Sequence, residues 1–306
     1  MALDRELLTR ALATNLKGKS STDIVQLFYS EYDAIIDFAR LCEGKRACQK
    51  LSLLFNPHRL DTPTIKSKSL TDALKTDGFC SGLARASAWK DEKLQDRNLL
   101  YQVLQLGVNG IQYVNEFPPH TARQIYQQFN AKRILDPCAG WGGRMIGAAS
   151  IGAFYHGFEP STRSYTGLLR LGEFLKSFRT GFDFRIENLP FEDCNLTDTY
   201  DISLTSPPYY DTEHYAEEAT QARLRYQSFN DFVNGFYVPM VIIAASACTH
   251  GLVLNIGDRK YPLTQTIITE LADTFTIEDF DGVSLSGAGG LGKENKKGES
   301  FIRIYT

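Results

Sequence analysis

No C-x-x-C pair occurs among the six cysteines of this 306-residue chain (Cys42, Cys48, Cys80, Cys138, Cys194, Cys248), so neither a zinc site nor a disulfide framework is suggested. Free thiols fit a reducing compartment. No apolar run is long. The longest, 238–248, is well short of the roughly 20 residues of a membrane-spanning helix and reads as a buried helix. Asp4, Arg5 and Glu6 interrupt any apolar start, so no export signal and no membrane partner are expected. Nor does one sign of charge dominate: 33 Lys+Arg against 36 Asp+Glu leave a net of −3, unlike a generally basic nucleic-acid binder. Internal repeats, low-complexity tracts and a complete G-x-G-x-x-G are missing. The segment Gly287-Ala288-Gly289-Gly290-Leu291-Gly292-Lys293-Glu294 matches most of a P-loop. It lacks the Ser/Thr after lysine and the helix that should follow, so it reads as a hairpin loop. Lys293, Lys296 and Lys297 on it are further candidates for nucleic-acid contact.

What is present divides in two. Residues 1–110 carry 16 Lys+Arg against 13 Asp+Glu and read as mostly helical, with Ile24, Leu27, Phe28, Tyr32, Ile35, Ile36 and Ala39 at helical spacing. Ser21, Thr22 and Asp23 offer helix-start chemistry. Lys45, Arg46, Lys50, Arg59, Lys66 and Lys68 are a local basic excess, either a solvated face or a phosphate contact. From about 130 the pattern alternates strand and helix. Strands are expected at 133–136, 155–159, 182–187, 201–205 and 252–256. Helices are expected up to 151 and at 161–177, 229–247 and 264–271, and a closing hairpin at 275–285 and 301–305. Repeated βα units imply an α/β fold with a mostly parallel sheet covered on both faces.

The first expected strand runs into Asp136-Pro137-Cys138-Ala139-Gly140-Trp141-Gly142-Gly143. Its glycines permit tight reversal and close approach of a ligand. The second strand ends in Glu159-Pro160, where an acidic side chain can accept from ribose hydroxyls. The third ends near Asn188 and Phe191, against which an adenine ring can lie. One ligand reaching three strand tips has the dimensions of a nucleoside.

The fourth strand ends in Thr205-Ser206-Pro207-Pro208-Tyr209. An exocyclic amine on a base is a poor nucleophile because its lone pair is conjugated with the ring. Acceptors beside its N–H bonds, here Ser206 Oγ and the Pro207 carbonyl, draw the nitrogen towards sp³. The two prolines hold the chain extended, so carbonyls face a cleft and not a helix. Tyr209 offers a ring for an extruded base to stack on. The loop from Tyr210 through His214 to Arg223 and Arg225 is either an ordinary surface loop or a cover over such a base, with arginines on phosphates. Cys138 lies on the first loop and not on the catalytic strand, so covalent catalysis is not expected.

These segments resemble the S-adenosylmethionine-dependent DNA amino methyltransferases acting on cytosine N4 or adenine N6. Ser206-Pro207-Pro208-Tyr209 is similar to that family's Asp/Asn/Ser-Pro-Pro-Tyr/Phe signature, whose serine form is more typical of cytosine N4. Asp136 to Gly142 resembles its cofactor loop, with Cys138 for Phe. Phe117-Pro118-Pro119-His120-Thr121 looks like the segment packing on the methionine part of the cofactor, and Asn255-Ile256-Gly257-Asp258 like the turn after strand five. The resemblance covers about 115–306. It implies a Rossmann-like seven-stranded sheet with one antiparallel edge strand, S-adenosylmethionine as cofactor, S-adenosylhomocysteine as product and no metal. It further implies a domain at 111–306 behind a helical extension at 1–110. Cofactor-binding residues by the same resemblance are Phe117, Pro118, Thr121, Asp136, Pro137, Cys138, Ala139, Gly140, Gly142, Glu159, Pro160, Asn188 and Phe191. Catalytic ones are Ser206, Pro207, Pro208 and Tyr209. Candidates for nucleic acid are Tyr210, His214, Arg223, Arg225, Lys45 and Arg46. The chain departs from the family in one respect: only about sixty residues separate cofactor loop and catalytic strand, too few for an inserted recognition domain. Recognition then falls to the first 110 residues, a second copy or a separate partner. Cytosine N4 in DNA is the expected target, ahead of adenine N6, an RNA base such as guanine N2, and a non-catalytic binding module. The expected setting is the cytoplasm of a bacterial, archaeal or phage-infected cell, in restriction, self-protection or regulation.

Overall fold

Short buried strands with helical crossovers organise the second half of the chain. The computed structural model describes residues 14–63, 68–75, 114, 116–211, 215–258, 260–283 and 300–306. His214, Lys66 and the segment holding Lys293, Lys296 and Lys297 lie outside the described residues. Contacts divide the chain into two units: the first takes in described stretches of 1–34, 50–115 and 212–216, the second those of 35–49, 116–211 and 217–306. That differs from a single cut at 110, because 35–49 group with the sheet.

The early helices are α1 (Ser21–Gln26), α2 (Glu31–Cys42), α3 (Leu51–Phe55) and α4 (Leu70–Ala73), with a 3-10 turn at Pro57–Asp61. The starts of α1, α2 and α4 repeat one device. Ser20 Oγ accepts from Asp23 N at 3.2 Å while Asp23 Oδ2 accepts from Ser20 N at 3.2 Å. Ser30 with Asp33 does the same, and Ser69 Oγ accepts from Asp72 N. Each capping pair satisfies donors that a helix start leaves open. The cap of α1 is Ser20, one residue before the expected start.

In the second unit come α5 (Pro119–Gln128), β1 (Arg133–Asp136), α6 (Gly143–Ile151), β2 (Phe154–Phe158), α7 (Thr162–Phe178), β3 (Asp183–Glu187) and β4 (Ile202–Thr205). Then follow α8 (Ala222–Arg225), α9 (Phe229–Phe232), a π-helical turn at Val233–Tyr237, α10 (Val238–Ser246), β5 (Leu252–Ile256), α11 (Leu263–Leu271), β6 (Thr276–Asp279) and β7 (Ser300–Tyr305). The sheet has seven strands in the order β3-β2-β1-β4-β5-β7-β6. Strands β1 to β5 pair in parallel. Only β7 runs against its neighbours, within the terminal pair between β5 and β6. Every residue of β4 and β5 is buried, as expected where helices cover both faces of a parallel sheet. This is the Rossmann-like α/β class expected from the sequence. Among the described residues no helix is long and apolar enough to cross a membrane.

The expected helix over 229–247 is interrupted. Pro239 has no N–H for the Gly235 carbonyl four residues back, and the turn ahead of it widens to π. Tyr226 OH lies 3.0 Å from that freed carbonyl and 2.7 Å from Glu192 Oε1, and its single proton serves the two acceptors in turn. A side chain at position 235 would lie 2.4 Å from the Tyr226 ring, so glycine is required there.

Candidate active site

The order β3-β2-β1-β4 places the reversal of winding between β1 and β4. Ligands of open α/β sheets bind at the carboxyl ends of strands at such a point. Both motif loops leave from there. Asp136 ends β1 with no exposed surface. Its Oδ2 accepts from Arg144 Nε at 2.7 Å and Tyr155 OH at 2.5 Å. Its Oδ1 accepts from Thr205 Oγ1 at 3.0 Å and Cys138 N at 3.2 Å. Arg144 also donates to the Cys138 carbonyl. The cofactor role expected of Asp136 therefore needs correction. Its oxygens hold the loop in shape, because protein donors take them up. Gly140 and Gly142 have φ of +56° and +93°, and a Cβ at Gly142 would lie 2.6 Å from Leu171. Pro137 and Ala139 are buried and Ala139 N donates to the Phe158 carbonyl at 2.8 Å. Burial pushes the Cys138 thiol far above its ordinary range, which leaves it without thiolate character.

Glu159 follows β2 directly. Gly140 N donates to its Oε2 at 3.0 Å and Ser161 N to its Oε1 at 2.9 Å, so it ties the glycine loop to the start of α7. Burial raises its carboxyl to about 8; the two amides lower it, and Asp136 and Glu218 raise it further. Ionised or protonated, a carboxyl with only two amide partners keeps polar capacity, lone pairs or its own O–H, for ligand hydroxyls. Asn188 Nδ2 donates to the Glu159 carbonyl at 3.0 Å and braces this turn. The half-buried Pro160 has its carbonyl bound by Thr220 Oγ1 at 3.1 Å. Glu218, which the sequence reading passed over, accepts from Thr162 N at 3.1 Å and Thr162 Oγ1 at 3.0 Å at the start of α7. Phe191 is placed differently from expectation. It is 1% exposed and packs edge-to-face on Phe158 at 4.9 Å, so its ring belongs to the core.

Ser206 follows β4, and its hydroxyl donates to Asn255 Oδ1 at 3.2 Å. Pro207 is buried, while Pro208 and Tyr209 are half-buried. Tyr210 has φ of +57°, unusual for a bulky residue, and turns into an aromatic cluster 5.4 Å from Phe232 and 5.4 Å from Tyr261. That packing replaces the nucleic-acid contact expected of it. Tyr237, at the end of the π turn, is fully buried, with no hydrogen-bond partner for its hydroxyl among the described residues. Burial pushes its phenol well up, with Tyr209, Asp258 and Cys138 adding to the effect. It belongs to the buried cluster against which Cys138 and Tyr209 pack, and no local sequence signal marks it.

Phe117 packs on Phe301 at 6.0 Å and under the Arg144 guanidinium at 5.3 Å. A Cβ at Gly143 would meet its carbonyl at 2.1 Å. Pro118 caps α5, its carbonyl accepting from Thr121 N at 3.1 Å, and Thr121 is buried. This segment thus braces the first loop from the α6 side. The expected phosphate contacts are engaged elsewhere. Arg225 holds both Asp193 oxygens at 2.5 and 2.6 Å, and Arg223 holds Glu217 at 2.6 Å. Lys45 pairs with Glu43 at 2.6 Å, and Arg46 is exposed.

No family model and no curated protein matches the chain. Among solved structures, a methyltransferase from Pyrococcus furiosus is 13% identical, with 73% of this chain and 96% of that one covered at a TM-score of 0.39. TrmN from Thermus thermophilus is 14% identical, covering 61% and 48% at 0.41. Magnesium protoporphyrin IX methyltransferase from Synechocystis, with bound SAM, is 12% identical, covering 61% and 79% at 0.40. Strand order and register define the fold class of this chain independently of these likenesses.

Proposed function

We propose that this chain transfers a methyl group from S-adenosylmethionine to an exocyclic amino nitrogen of a nucleic-acid base, cytosine N4 in DNA. The observation that carries the reading is the Thr205–Asp136 bond at 3.0 Å. It ties the residue before Ser206 to the first loop, so both motif loops open at one rim of the sheet. The residues present fit the cofactor. Gly140 leaves room for close approach, while the space at Gly142 is taken by Leu171 and Leu168, and Glu159 keeps lone pairs for ribose hydroxyls. When bound, the cofactor would supply an electrophilic methyl carbon on a sulfide leaving group, and the proton released from the amine would leave to water. The chain's own part is positioning. Ser206 Oγ and the Pro207 carbonyl accept from the amine and free its lone pair, and Tyr209 stacks on the base.

Purified protein with tritiated donor and DNA, followed by nucleoside mass spectrometry, tests the reading and separates cytosine from adenine. An RNA arm covers guanine. Ser206→Ala is expected to lower kcat roughly 10²-fold with donor affinity unchanged. Equal losses of both would remove the role assigned to Ser206, and no donor binding at millimolar concentration would leave a binding module.

A further inference from the structure

Asn255 lies on β5, 3% exposed, with β4 on one side and β7 on the other. Its Nδ2 donates to the Ser300 carbonyl at 3.2 Å, and its Oδ1 is 3.2 Å from Ser206 Oγ. The order of these bonds follows from elementary chemistry. A main-chain carbonyl has no proton to give, so the amide must turn its NH₂ to Ser300. Its oxygen then faces Ser206. An amide oxygen only accepts, so the Ser206 proton is committed to that line. The lone pairs of Ser206 Oγ are left for an incoming N–H.

We propose that Asn255 is a positioning residue that makes Ser206 an acceptor only, and so selects a base edge presenting an amino group over one presenting a carbonyl. This rests on the methyltransferase reading above. A free serine hydroxyl rotates and can donate to a carbonyl such as that of uracil; one held by Asn255 cannot. Asn255 is also no base. The proton leaving the methylated nitrogen is not relayed through Ser206 to position 255 and goes to water.

The test compares wild type, Asn255→Leu (similar volume, no amide), Asn255→Asp, Ser206→Ala and the Ser206→Ala/Asn255→Leu double variant. Asn255→Leu is expected to lower kcat about tenfold with donor affinity, measured by calorimetry, within about twofold. In the Ser206→Ala background it is expected to change kcat no further, since its effect passes through the hydroxyl. Asn255→Asp keeps an acceptor oxygen and is expected to recover most of the loss at neutral pH. Burial and the Ser300 carbonyl hold that carboxyl above its ordinary range, and its acid form donates to Ser300 while its other oxygen still accepts from Ser206. Unfolding of the ligand-free proteins gives a readout apart from activity: the two sites should couple by about fivefold in the unfolding constant. A kcat for Asn255→Leu within twofold of wild type, an equal loss in the Ser206→Ala background, or no coupling in unfolding each overturns the proposal. If wild type transfers methyl and Ser206→Ala loses it while Asn255→Leu is normal, this inference alone falls. If wild type transfers none, the parent reading falls with it.

Discussion

Asp136 and Glu159 end neighbouring strands of one sheet and are both buried, yet they are opposite in kind. Asp136 faces a guanidinium, a phenol, a hydroxyl and an amide, so its lone pairs are spent on the protein. Among the described residues Glu159 has two backbone amides and no cation, with Asp136 and Glu218 adding negative charge nearby. A buried carboxylate saturated by partners, one of them charged, holds architecture. One with partners for only half its lone pairs, and no positive charge, is ready for a ligand's hydroxyls. The same side-chain chemistry serves as anchor or as contact according to what its surroundings leave open.

The strongest way to break that contrast is Asp136→Ala. It leaves Arg144 buried and unpaired, and a loss of about 3–5 kcal/mol in urea unfolding is expected. Unchanged stability with collapsed donor binding would make Asp136 a ligand contact instead. Glu159 sharpens the contrast through pH. Its folded carboxyl titrates near about 8, against about 4.3 when unfolded. Between those values the folded state keeps a proton that the unfolded state has lost. The contribution to stability is therefore full below pH 4 and declines as pH rises to 8, by at most about 5 kcal/mol. Glu159→Gln is expected to flatten that decline in denaturation curves from pH 5 to 9, while losing about 1 kcal/mol at pH 5 where its NH₂ faces a backbone N–H. An identical pH slope in the variant would show that Glu159 is not the titrating group. The smallest effect belongs to Arg225→Ala, whose partially exposed pair with Asp193 is worth less than about 1 kcal/mol. DNA affinity and its salt dependence are expected to stay the same. A salt slope reduced by about one would mean that Arg225 leaves Asp193 for a phosphate.

Much of the sheet is legible in the sequence. The expected strands at 133–136 and 252–256 coincide with β1 and β5, those at 155–159, 182–187, 201–205 and 301–305 differ by one residue at an end or both, and the hairpin strand expected at 275–285 ends at Asp279. Parallel strands buried on both faces are short apolar runs bounded by turn residues, and that pattern is local. The helix over 229–247 was harder to read. Its apolar pattern continues through Pro239, whereas the π turn depends on Gly235 admitting Tyr226 from outside the helix. Phe191 and Tyr210 show the same limit. An aromatic residue after a strand reads equally as ligand contact or core, and only its neighbours Phe158, Phe232 and Tyr261 decide.

By itself the sequence determined the alternation of strand and helix, the glycine turn after β1, the acid after β2 and the proline-bracketed serine after β4. These are written in windows of a few residues, where propensity, backbone freedom and side-chain period act. Tertiary structure alone decided which carboxylate is anchor and which is open, that the arginines of the α8 region are tied to acids, and that Ser206 has Asn255 to hold its proton. Those outcomes join residues 49 and 69 positions apart, as in Ser206 with Asn255 and Thr205 with Asp136. A hydrogen bond is settled by distance and direction, and for partners so far apart in the chain both are set by sheet register.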